Sequence, residues 1–127
     1  LYSYGEVQRL QHRYPEAVAN FHQALKILSA IGDIRTQART LLRLAKVEFE
    51  RGEFAKAEMA ASDAKNLNSV IGNGWDQVHD LEMLGQIYDA QGETQKARQS
   101  RLEAHKLAST FEEHTLTESL HQQLTAR

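Results

Sequence analysis

The feature that most constrains this chain is a pattern that returns every 40 residues. In steps of that length, Leu84-Gly85 falls on Leu44-Ala45 and then on Tyr4-Gly5, and Gly92-Glu93 falls on Gly52-Glu53 and then on His12-Arg13. Ala97, Ala57 and Ala17 line up, as do Ala104, Ala64 and Ala24, and Leu107, Leu67 and Ile27. Self-similarity at such a period marks stacked units, none of which buries its apolar face alone. The expected architecture is therefore an α-solenoid forming one domain over residues 1–127, and the expected function is to hold another molecule on an extended surface.

Local signals divide each unit into two helices. Leu1, Tyr4, Gly5 and Val7 match the packing face of a first helix that is cut at its start. Tyr14-Pro15 restarts a helix, proline being well placed where a missing N–H costs nothing. Ala17, Phe21, Ala24, Leu25 and Leu28 then recur at three- and four-residue steps, which gives one apolar stripe. Ile31-Gly32-Asp33 supplies a glycine for a left-handed C-cap and an aspartate for the next N-cap.

The next helix is predicted from about Ile34 to Arg51, burying Leu41, Leu44 and Ala45 and stopped by Gly52. Its partner runs from about Phe54 to Val70, with Ala57, Ala61, Ala64 and Leu67 inward, alanines small enough for close helix approach. Ile71-Gly72-Asn73-Gly74 repeats the earlier turn, and two further helices follow at about Trp75–Ala90 and Thr94–Ser109. The repeats are placed at about 1–32, 33–72 and 73–112. Thr115-Leu116-Thr117-Glu118 reads as a capping box, opening a separate C-terminal helix over about 114–127 with Leu116, Leu120 and Leu124 on one edge, either a capping helix or the first half of a fourth repeat.

The columns headed by Leu84-Gly85, Tyr88, Gly92, Ala97 and Ala104 resemble the tetratricopeptide repeat. Leu44, Ala45, Gly52, Phe54, Ala57 and Ala64 carry the pattern again, as do Gly5, Tyr14, Ala17, Phe21 and Ala24. The resemblance implies an all-α fold, a right-handed solenoid of antiparallel helix pairs with about three repeats, and ligands held on a concave face lined by first helices. The 40-residue period is similar to the family's long-repeat class, found in adaptors, kinesin light chains and bacterial regulators. Family members that capture chaperone tails use lysines and asparagines at positions occupied here by Tyr2, Glu6, Leu42 and His79, so that ligand is not expected. Glu48 and Gln8 stand where Tyr88 stands, and Arg101 stands where Phe21 and Ala61 stand. A charge there must find a partner or reach solvent, and packing beside Arg101 is expected to be looser.

On the concave side of the second repeat, Arg35, Arg39, Leu42, Arg43, Lys46, Phe49 and Glu50 fall within roughly 120° of arc at about 100° per residue. Four cations around two apolar side chains suit an acidic peptide with an apolar anchor, because arginine clasps carboxylates bidentately. A solvated face of weak ion pairs is the alternative. The matching face of the third repeat offers Trp75, His79, Glu82, Met83, Gln86, Asp89 and Ala90. The candidate peptide-binding residues are accordingly Arg35, Arg39, Leu42, Arg43, Lys46, Phe49, His79, Glu82, Gln86 and Asp89. Trp75 is expected to pack across its turn.

No catalytic constellation or cofactor is expected. His114 and His121 stand about 10.5 Å apart by helical rise, too far for one zinc ion. Gly72-Asn73-Gly74 is turn chemistry rather than a phosphate loop, and Asp76 and Asp80 read as a solvated first turn favouring the helix dipole. With a net charge of −2, no strong positive excess exists to hold nucleic acid or an anionic membrane. The absence of cysteine fits the cytoplasm. The chain starts inside the pattern, so it is expected to be an excerpt of a larger regulatory or signalling protein. The leading expectation is a non-enzymatic protein-interaction module for a peptide or helical segment; the alternative is a structural spacer or self-association domain.

Overall fold

The structure is a computed structural model that describes Gly5 and residues 13–125. Within residues 13–125 five helices follow one another: α1 (Tyr14–Ile31), α2 (Ile34–Glu50), α3 (Phe54–Val70), α4 (Gly74–Ala90) and α5 (Thr94–Thr125). No strand occurs among the described residues. Each helix packs on the next in chain order, and α2 also touches α4, so the fold is an all-α solenoid.

The turns explain the helix bounds. Gly32 has φ 74° and its N–H reaches the Ser29 carbonyl, the left-handed close that glycine adopts without strain. Asp33 then caps α2, its Oδ1 accepting from Thr36 N–H at 3.1 Å. Forty residues later Asn73 caps α4 in the same way, accepting from Asp76 N–H. Side-chain acceptance of an orphan helix N–H is what fixes both starts.

The core follows the alanine columns. Ala17, Ala57 and Ala97 are buried, as are Ala24, Ala64 and Ala104, around Phe21, Leu44, Val47, Leu81, Leu84 and Ile87. Gly5 lies against the Phe21 ring, so close that a Cβ there would stand 3.0 Å from it. Leu41 and Leu67 are only partly buried, and Asn68 takes the fully buried place on the last turn of α3. The other residues expected to form the cut first helix, Leu1, Tyr4 and Val7, lie outside the described residues.

Several expectations need correction. No separate C-terminal helix begins near residue 114: α5 runs unbroken from Thr94 to Thr125. That span contains neither glycine nor proline, so nothing ends the helix and the Thr115-to-Glu118 motif sits inside it. Packing beside Arg101 is close rather than loose. Its Cγ lies 3.1 Å from the place of a Cβ on Gly85, and its guanidinium turns outward to Asp89, 2.6 Å away. Gly85 gives the stem room, and the charge reaches the surface.

The other charge at a packing position, Glu48, stays buried and is met by Arg51 Nη1 at 2.9 Å. Trp75 packs not across its turn but on Phe111 of α5, with ring centroids 5.3 Å apart. Gly74 is explained by that contact rather than by turn geometry: a Cβ on it would collide with the Phe111 ring.

Candidate functional site

A groove of about 430 Å³ runs between α2 and α4. The α2 wall is built from Ala38, Arg39, Leu42, Arg43 and Lys46, and the α4 wall from Asp76, His79, Asp80, Glu82, Met83 and Gln86. Asn68 enters from α3. The α2 residues share one side because steps of three and four bring side chains onto one helix face. The opposite side of the same helix carries Leu44, Ala45 and Val47 into the core.

Seven of the ten expected residues line this groove: Arg39, Leu42, Arg43, Lys46, His79, Glu82 and Gln86. The other three do not. Arg35 is exposed in the first turn of α2, outside the lining. Phe49, expected as a second apolar anchor, instead meets Phe54 across the α2–α3 turn, with centroids 5.6 Å apart and rings inclined at 58°. Asp89 is engaged with Arg101. Helical-wheel angle placed Phe49 and Asp89 near the face; their local partners draw them from it.

The groove is divided by charge. Arg39, Arg43 and Lys46 stand on one wall; Asp76, Asp80 and Glu82 stand on the other. Across the groove, Arg39 Nε lies 4.0 Å from Asp76 Oδ2. Asp76 is held in place by its cap, since Asn73 Nδ2 donates to the same Oδ2 at 2.7 Å. The exposed Arg39–Asp76 contact contributes little to stability, but it fixes which charges face each other. The apolar part of the lining is Leu42, Ala38 and Met83, Met83 being 6% exposed.

Asp80 does not belong to a solvated turn, as the sequence suggested. It is 1% exposed and accepts from Asn68 Nδ2 at 2.7 Å. Burial pushes its carboxyl up to about 6, with nearby Asp76 adding to the effect; the Asn68 hydrogen bond, then His79 and Lys65, oppose it. Removing a carboxylate from water disfavours its charged form, which is the dominant cause here.

Asp80 aligns with Thr40, which is also fully buried. Thr40 donates its hydroxyl to the Thr36 carbonyl of its own helix at 2.8 Å. An ionised aspartate has no proton to donate in that way, so Asp80 takes its partner from α3.

No group of three or more potential metal ligands occurs among the described residues, and no helix among them is long and apolar enough to cross a membrane. Residues 1–68 match the family model described as a tetratricopeptide repeat. No curated protein matches the chain significantly.

Proposed function

The chain belongs to the tetratricopeptide repeat family, and from that premise we propose that it binds a segment of a partner protein in the groove between α2 and α4. Repeats of this family are generally protein–protein interaction modules built on a non-catalytic scaffold. The observation that carries the reading is the α2 wall, where Arg39, Arg43 and Lys46 surround Leu42 on a face open to the groove. Such a wall suits an extended or helical segment with acidic residues beside an apolar anchor: carboxylates gain charge-assisted hydrogen bonds and Leu42 supplies contact area. The setting we infer is a cytoplasmic regulatory or signalling protein with three long-period repeats in this part of its chain.

The test is a pulldown from host lysate with the chain and with its Arg39→Glu, Arg43→Glu, Lys46→Glu variant, helicity being checked by circular dichroism. A protein retained by the first and lost with the second identifies the ligand. Equal capture by both sinks the reading.

A second reading, a spacer or self-association domain, is favoured by Leu116, Leu120 and Leu124, which are 61%, 51% and 74% exposed along the end of α5. Sedimentation as a monomer at high concentration with native flanking sequence would count against it.

A further inference from the structure

Two buried oxygen atoms on residues that line the groove lack a donor, and they belong to one pair of side chains. Asn68 Nδ2 donates to Asp80 Oδ2, which leaves Asn68 Oδ1 and Asp80 Oδ1 buried and without a hydrogen-bond partner among the described residues. The two residues are 2% and 1% exposed, and both line the groove. Buried polar atoms are nearly always paired, so an unpaired couple calls for an explanation. Both atoms are acceptors, and one sits on a carboxylate. A neutral donor would satisfy the geometry; a positively charged donor would also neutralise the buried charge, and charge-assisted hydrogen bonds are about twice as strong.

Resting on the groove as the binding site, we propose that the Asn68–Asp80 pair receives the ammonium or guanidinium group of a lysine or arginine side chain on the bound segment. The layout of the walls then specifies the segment further. Arg39, Arg43 and Lys46 give three positive charges on α2, and Asp76, Asp80 and Glu82 give three negative charges on α4, so the lining is balanced but segregated. In an extended peptide successive side chains point to opposite sides. An acidic residue facing α2 is therefore followed by one facing α4, where a basic residue fits and an acidic one is repelled. The ligand class is an extended peptide that alternates acidic and basic residues around an apolar one placed at Leu42 and Met83.

The closing experiment uses the full chain and two synthetic ten-residue probes with a central leucine, one alternating Glu with Lys and one alternating Glu with Gln, in fluorescence polarisation. The wild-type chain is expected to hold the Glu–Lys probe at least about tenfold more tightly. Asp80→Asn, which keeps the shape and an acceptor while removing the charge, is expected to lose that preference. Equal wild-type affinity for the two probes overturns the floor assignment and leaves the groove reading standing. If Arg39→Glu, Arg43→Glu, Lys46→Glu binds the Glu–Gln probe as well as wild type does, the groove reading falls and this inference with it. Binding of neither probe by wild type overturns both. Should Asp80→Asn fail to fold, equal wild-type affinity for the two probes still overturns the floor assignment.

Discussion

Asn68 and Asp80 are 12 residues apart in sequence and joined by a 2.7 Å hydrogen bond in the interior, so that a carboxylate from α4 is tied to the last turn of α3. The burial of that carboxylate, which the hydrogen bond only partly offsets, has a thermodynamic consequence. A folded-state pKa of about 6 against an ordinary value of 3.8 means that the folded chain holds the Asp80 proton more tightly than the unfolded chain does. Stability from this group is fully present below pH 3.8 and lost as pH rises through 6. At about 1.4 kcal/mol per unit, the loss amounts to about 3 kcal/mol. Urea midpoints measured between pH 4.5 and 7.5 should fall with pH for the wild type and stay nearly level for Asp80→Asn. An equal slope in both would contradict the assignment. Asp33, whose carboxyl is held below its usual range by the Thr36 backbone N–H, acts at lower pH and with the opposite sign.

The contact between Gly74 and Phe111 predicts a steric penalty at a helix start. Gly74→Ala must displace the Phe111 ring, and overpacking of this kind costs about 1–3 kcal/mol. Trp75, the chain's single tryptophan, packs at a tilt on the same ring and so reports the displacement. Gly74→Ala should shift the Trp75 emission spectrum and lower the thermal midpoint, while Gly74→Ala combined with Phe111→Ala should recover part of the stability. A Gly74→Ala chain with unchanged fluorescence and midpoint would show that α4 and α5 do not approach as described.

Two ion pairs should respond very differently to truncation. In Glu48–Arg51 the carboxylate side chain is 4% exposed, so Arg51→Ala strands a buried acceptor and should cost about 1–3 kcal/mol. In Arg101–Asp89 both side chains are about half exposed, and Asp89→Ala should change stability by no more than about 1 kcal/mol. Chemical denaturation of the two variants side by side checks the ranking, and a reversed order would refute it.

Asn73 serves two partners, capping α4 through Asp76 N–H and holding the Asp76 carboxylate through its own amide. Asn73→Ala is expected to cost about 1 kcal/mol, as for loss of an N-cap. Asn73→Asp keeps the cap acceptor but sets two carboxylates against each other, so it should recover less of the loss at pH 7 than at pH 4. Equal recovery at both values would argue against the Asn73–Asp76 contact.

Periodicity and turn chemistry made most of the fold legible. Four helix ends and the alanine columns follow from where glycine, aspartate and small residues fall in the 40-residue register, because those residue types act locally. The groove face of α2 was legible for the same reason, since it depends on one helix alone. What escaped depends on neighbours. Asp80 looks like any solvated acid near the start of α4 until α3 closes over it, and Asn68 belongs to a second helix that a concave-face reading passes over. Phe49 and Asp89 have suitable angles but find closer partners in Phe54 and Arg101. The motif at Thr115 misled because a capping sequence marks a helix start only where the preceding helix has stopped, and nothing in α5 stops it.

The length of α5 has a mechanical meaning. At about 1.5 Å per residue, the 14 residues from Glu112 to Thr125 extend about 20 Å past Phe111, and the described side chains among them are all exposed. The helix is thus an arm, seated along α4 for its first half and cantilevered beyond it. Its fulcrum is the place where Phe111 rests on Gly74. A tilt of a few degrees there, too small to disturb the packed half, is magnified along the arm and is greatest at Leu124.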